Sequence, residues 1–104
     1  MKGPKNEVKK AVLSALQNSD FKNDIQKISL FGSHLTETAT PTSDVDLLVS
    51  FMPNAIVGFS KLSRIKFDLE NKIGLKVDLV TPNALSKYFK NDILKNAEKI
   101  YEGQ

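Results

Sequence analysis

The segment at residues 44–51, DVDLLVSF, constrains the chain most, because it carries the best strand signal in the sequence and its neighbours extend the pattern. Residues 25–31 alternate around Ile28 and Leu30 before Gly32 and predict another strand. Residues 76–81, KVDLVT, predict a third, stopped by Pro82. Helical spacing fills the intervals. Val8, Ala11, Val12, Ala15 and Leu16 mark one face of a helix over 6–16, and Asn18, Ser19 and Asp20 then break the pattern. Leu62, Ile65, Leu69 and Ile73 mark a helix over 59–73, with Gly74 as its C-cap. Residues 84–98 predict a last helix, with Tyr88, Phe89, Ile93 and Leu94 as its apolar residues. Between Ser33 and Ser43 the small polar residues and Pro41 suggest one turn of helix and then a loop. Ile100 and Tyr101 form a short final strand or cap the core. The alternation of strand and helix predicts an α/β (α+β) fold, a small β-sheet with helices packed on it. A chain of 104 residues, 40% of them hydrophobic, is enough for one domain spanning 1–104.

Composition removes several chemistries. Without cysteine there are no disulfides, thiolate metal sites or thiol nucleophiles. One histidine, His34, leaves no multi-histidine metal centre. The net charge is +3, but Arg64 is the only arginine, so guanidinium forks for phosphate or guanine edges are nearly absent. The lysines are scattered among acids, apart from a mild cluster at Lys2, Lys5, Lys9 and Lys10, and a nucleic-acid partner is not expected. No run approaches the ~20 apolar residues of a membrane span. No apolar stretch follows the N-terminal lysines as in a secretory signal, so a soluble, cytoplasmic protein is expected.

Acids on strands are the unusual feature, since strands deplete Asp and a core-facing carboxylate needs a partner or a metal. Asp44 and Asp46 stand two apart, so the pleat projects both to one side. Asp78 interrupts the third strand, and neighbouring strands would let it complete a three-carboxylate cluster. Crowded anions oppose one another's ionisation, and a divalent cation relieves that repulsion. Oxygen-only ligation suits Mg²⁺ or Mn²⁺, which keep waters and bind phosphate oxygens. Gly32-Ser33, where a strand turns into a helix, is the second half: backbone N–H groups and a hydroxyl face an anion there, and glycine allows close approach. Each half has an ordinary reading, as a turn residue for Asp44, an edge-strand charge for Asp78 and an N-cap for Ser33. An Asp-x-Asp alone arises by chance about half the time at this Asp content, whereas Gly-Ser at a fixed offset before it falls to roughly two in a thousand.

Gly-Ser, ten residues, Asp-x-Asp and a third Asp on a later strand resemble the nucleotidyltransferases of the DNA polymerase β superfamily, above all the minimal nucleotidyltransferases paired with HEPN-domain toxins. The resemblance covers LFGSHLTETATPTSDVDLLVSF, GLKVDLVTPNAL and FKNDILKNAEKIY. It implies a polymerase β palm-like fold on a mixed sheet, Mg²⁺ (or Mn²⁺), and ATP or another nucleoside triphosphate as co-substrate. Gly32 and Ser33 would hold the triphosphate, Asp44 and Asp46 would bind the metal ions, and Asp78 would be the third carboxylate. The resemblance also implies transfer of a nucleoside monophosphate to a hydroxyl, such as a tyrosine of a cognate HEPN toxin, and hence an antitoxin. The chain is too short for the extra helical domain of larger relatives, so a homo-oligomer or heterocomplex is expected. Where the family commonly carries Arg and Gly after Gly-Ser, this chain has His34-Leu35-Thr36-Glu37. Thr36 offers no guanidinium and Glu37 puts an anion in place of a glycine. That departure supports an alternative: a nucleotidyltransferase-fold module of low turnover that neutralises or scaffolds a partner by binding. His34 is read as a solvent-facing helix residue, and Leu35, Ile56, Val57 and Phe59 as an exposed patch.

Overall fold

A computed structural model describes residues 4–36, 38–40 and 43–103. Glu37, Pro41, Thr42 and Lys2, each part of a sequence expectation, lie outside the described residues. The elements run α1 (Pro4–Gln17), β1 (Ile25–Phe31), α2 (Ser33–Thr36), β2 (Val45–Phe51), α3 (Phe59–Ile73), β3 (Val77–Val80), α4 (Lys87–Asn96) and β4 (Glu98–Glu102). Four strands form a sheet in the order β3-β2-β1-β4. β1 is antiparallel to both β2 and β4, while β2 and β3 are parallel, so the sheet is mixed. The parallel pair requires a crossover, which α3 supplies.

The strand pleat sorts the sheet into two faces. Ile28, Leu30, Val45, Leu47, Val49, Val77 and Leu79 are buried together with Val12, Ala15 and Leu16 of α1 and with Ile65 and Leu69 of α3. α1 and α3 therefore cover one face, as the spacing of their apolar residues predicts. α3 ends at Gly74, which adopts φ 83° and donates its N–H to the Glu70 carbonyl at 2.8 Å. The same glutamate's Oε2 accepts from Val77 N at 2.8 Å, and Val45 N donates to the Lys76 carbonyl at 2.8 Å, so helix end and two strand starts are tied together.

The C-terminal region departs from the sequence reading. The helix expected over 84–98 is shorter, as α4, preceded by a 3₁₀ turn (Pro82–Ala84) and followed by β4, which realises the strand alternative for Ile100 and Tyr101. Ser86 caps α4 by accepting from Tyr88 N, and Ala97 turns extended, which frees Glu98–Glu102 to pair with β1. α4 buries none of its residues, and its apolar Tyr88 is 81% exposed. The expected patch also divides: Ile56 and Phe59 are exposed, Val57 is half-buried, and Leu35 packs against the core. Edge strand β4 is pinned to α1 by Glu98, which pairs with Lys5 Nζ at 3.0 Å and Lys9 Nζ at 3.1 Å. Two lysines of the N-terminal cluster are thus structural.

Candidate functional site

The face of the sheet opposite α1 and α3 carries the acids. In the parallel pair Asp46 is the direct partner of Asp78, and in the antiparallel pair Asp46 lies opposite Phe31. One-to-one register across β2 and β3 therefore sets two carboxylates side by side, on the face shared by Ser29 and Leu48. Asp44 stands just before β2 and is exposed; the strand starts at Val45, one residue later than the sequence suggests. Asp46 is half-buried, and its carboxyl is held above the ordinary range, first by burial, then by the charges of Asp78 and Asp44, with His34 acting in the opposite sense. The structure thus brings the fields of all three acids together at Asp46.

Gly32 closes the other side. It follows β1 with φ 79°, a left-handed conformation that glycine adopts without penalty. A Cβ placed there would lie 2.1 Å from Asp46 Oδ2, 3.0 Å from its Cγ and 3.1 Å from its Cβ. No side chain fits between the corner and the carboxylate. Ser33 then begins α2, whose first amide groups have no intrahelical acceptor.

The other polar side chains of α2 bond to backbone carbonyls and to Thr38. His34 is half-buried, not solvent-facing, with Nε2 3.4 Å from the Ser43 carbonyl, just before Asp44. Thr36 Oγ1 is engaged with Thr38 Oγ1 at 2.9 Å and with the carbonyls of Gly32 and Ser33. Neither reproduces an arginine reaching for phosphate.

Among the described residues no group of three or more His, Asp or Glu side chains forms a ready metal cage. The donor set nonetheless suits a hard cation. Mg²⁺ binds through one or two carboxylates and fills its other positions with water and substrate phosphate oxygens. Asp46 and Asp78 offer such a partial set, and a cation would relieve the charge crowding that raises Asp46.

What sequence reasoning missed lies around the acids. A cleft of about 440 Å³ opens beside Gly32 and Ser33, walled by Phe31 and Leu35 on one side and by Ile93 of α4 on the other. Only the tertiary placement of α4 creates it. The i, i+1, i+4 spacing of Asp92, Ile93 and Asn96 carries no signal of its own.

Comparison with known proteins gives this geometry a context. Residues 11–104 match the family described as polymerase beta, nucleotidyltransferase. A Methanocaldococcus jannaschii chain named a "putative protein adenylyltransferase" is 33% identical over 92 residues, 88% of this chain and 92% of that one. Protein adenylyltransferase MntA of Thermococcus cleftensis is 34% identical over 71 residues, 68% of this chain and 70% of its own. Among solved structures, a "putative minimal nucleotidyltransferase" superposes with a TM-score of 0.66 at 29% identity, covering 86% of this chain and 85% of the other. A chain of a toxin–antitoxin crystallised with AMP-PNP shares the fold with a TM-score of 0.70 at 20% identity, covering 92% of this chain and 74% of that one. A mixed sheet with an Asp pair behind a glycine corner, matched along nearly the whole chain, thus has its family: the protein belongs to the polymerase β nucleotidyltransferases.

Proposed function

We propose that this nucleotidyltransferase moves a nucleoside monophosphate, AMP from ATP, onto a hydroxyl of a protein partner, and that it serves as the antitoxin of a toxin–antitoxin pair. One observation carries the reading: Asp46 is flanked by Asp78 in register, Asp44 two residues upstream and Gly32 pressed against its carboxylate. The adenylyl group and the toxin partner come from the relatives, which are named protein adenylyltransferases and, for structures of the same fold, toxin–antitoxin complexes.

In this reading Gly32 and Ser33 hold the phosphate tail. Backbone approaches the phosphates closely there because no Cβ intervenes. Asp44, Asp46 and Asp78 would hold Mg²⁺, which supplies charge neutralisation of the phosphates and of the oxygens entering and leaving phosphorus. The acceptor hydroxyl oxygen attacks the α-phosphorus in line. A new P–O bond forms, the bond from the α-phosphorus to the bridging oxygen breaks, and pyrophosphate leaves. Asp78, more exposed than Asp46, orients the hydroxyl and takes its proton. The acceptor is a tyrosine of a HEPN-type toxin. The partner, or a second copy of this chain, covers the open side of the site, where exposed Tyr88 and Phe89 of α4 offer apolar surface.

A second reading rests on Thr36 and His34, which spend their polar atoms within α2 and on the Ser43 carbonyl instead of on a phosphate. In it the module neutralises its partner by contact, with little turnover. Labelled ATP, Mg²⁺ and the partner toxin separate the two. Label transfer to the toxin that is lost in Asp46→Asn supports transfer. Neutralisation without label, unchanged in Asp46→Asn, refutes it and supports binding alone.

A further inference from the structure

β3, four residues long, lies at the edge of the sheet with β2 as its one neighbour. Val45 N donates to the Lys76 carbonyl at 2.8 Å, so the main chain at 76 and 78 addresses β2 and that of Val77, between them, addresses the edge. An outward N–H on an edge strand has no ladder partner. Val77 is also 1% exposed, so water is a poor substitute for one. The partner comes from α3: Glu70 Oε2 accepts from Val77 N at 2.8 Å.

Glu70 can reach that point because α3 ends three residues later and Gly74, at φ 83°, reverses the chain. Gly74, Leu75 and Lys76 are exposed, and a Cβ placed at Gly74 would meet nothing within 4 Å. The connection is therefore held at its ends, and Glu70 holds both: its carbonyl accepts from Gly74 N at 2.8 Å and its carboxylate from Val77 N. The next residue is Asp78, the register partner of Asp46. Burial of Val77 and Leu79 decides which face Asp78 takes. The Glu70 bond decides how firmly the first residue of the strand, and with it the second, is held.

We infer that Glu70 is a positioning residue for the transfer reaction, fixing the start of β3 through Val77 so that Asp78 stays beside Asp46. The inference rests on the nucleotide-transfer reading above and adds to it a residue outside the Gly32-Ser33 and Asp44-x-Asp46 motifs.

Glu70→Met and Glu70→Gln test it in the full chain. Both keep an unbranched stem that suits a helix, but only Gln retains a strong acceptor. Two quantities are read: amide exchange at Val77 and Asp78 without metal, and Mn²⁺ affinity by electron paramagnetic resonance of the free ion. Glu70→Met is expected to speed exchange at Val77 about tenfold and to weaken Mn²⁺ about fivefold, while Glu70→Gln stays within about twofold of the unaltered chain in both. In an Asp78→Asn background Glu70→Met should change Mn²⁺ affinity by less than about twofold, because the group it positions is gone. A similar loss in both backgrounds would assign Glu70 to the fold at large and overturn the inference. Unchanged exchange or unchanged affinity in Glu70→Met overturns it too, as does a Gln variant that behaves like Met. An unaltered chain that binds no Mn²⁺ overturns metal-dependent transfer, and the inference with it, whatever the exchange at Val77.

Discussion

Replacing Gly32 by Ala isolates the contact on which the candidate site turns, and its cost follows from two separable terms. The first is conformational: Gly32 has φ 79°, and an alanine held in the left-handed region costs about 1–2 kcal/mol. The second is steric. The new Cβ would sit 2.1 Å from Asp46 Oδ2 and 3.0 Å from Cγ, so the carboxylate must rotate out of its well, at about 0.5–1.5 kcal/mol for an off-rotamer side chain. Gly32→Ala is therefore expected to destabilise by roughly 2–3 kcal/mol in urea unfolding followed by circular dichroism. The two terms separate in an Asp46→Ala background. Oδ2 and Cγ are then gone, and the remaining Cβ at 3.1 Å asks for only a small adjustment. In that background the cost should fall to the ~1–2 kcal/mol of the backbone alone, leaving a coupling of about 1 kcal/mol between the positions. A Gly32→Ala cost below about 0.5 kcal/mol, or an equal cost in both backgrounds, would refute the close approach of corner and carboxylate. Binding of Mg-ATP adds the functional readout, because a rotated Asp46 no longer faces the phosphates in the proposed mode.

Asp46→Asn should raise the melting temperature at pH 7 in EDTA, since its carboxyl is held above the ordinary range by burial, Asp78 and Asp44. A raised folded value means that the unaltered chain loses stability as pH climbs from the ordinary carboxylate range through that value. The advantage of the variant should thus shrink towards pH 4, and an equal or growing gap there would contradict the assignment. Glu98→Gln should cost on the order of 1 kcal/mol by removing two partly exposed lysine pairs, most of it absent in 1 M salt. The Glu98 carboxyl is held low by Lys5 and then Lys9, so its contribution is present at neutral pH and disappears as acid takes the pH below the ordinary glutamate value. A Glu98→Gln penalty that persists at pH 2 would disprove this. Ser33→Ala should weaken Mg-tripolyphosphate binding by ~1–3 kcal/mol, the range for one hydrogen bond to a charged group, while melting stays nearly unchanged. Unaltered affinity returns Ser33 to a plain helix-start residue.

The legible parts of this chain were those set by local periodicity or by fixed offsets. Ile65 and Leu69 of α3, Gly74 at its end and the apolar faces of β1 and β2 follow from side chains that repeat every 3.6 or 2 residues, and each is where that repeat requires. The Asp46–Asp78 pairing was legible only conditionally. Two strands each bearing one Asp give a site if they are neighbours, and adjacency belongs to the crossover through α3, not to either segment. The helix expected over 84–98 is present as α4, and only its ends differ: Ser86 caps its start, and Ala97 and the pairing of Glu98–Glu102 with β1 end it early, while its Tyr88, Phe89, Ile93 and Leu94 keep helical spacing without being buried. His34 was misread: a polar residue on a short helix suggests solvent, but the Ser43 carbonyl comes back to meet it from nine residues on.

These failures share a cause, and it bears on function. Pairing and covering involve residues distant in sequence, and α4 leaves Tyr88 and Phe89 exposed, with the Lys87 ammonium 5.9 Å from the Tyr88 ring centre. The fold leaves Tyr88 and Phe89 largely uncovered, whereas Gly32 and Asp46 constrain one another directly. Exposed aromatic rings on α4, a helix whose Ile93 also walls the cleft beside the Gly32-Ser33 corner, accord with the proposed reading in which the acceptor arrives on another protein.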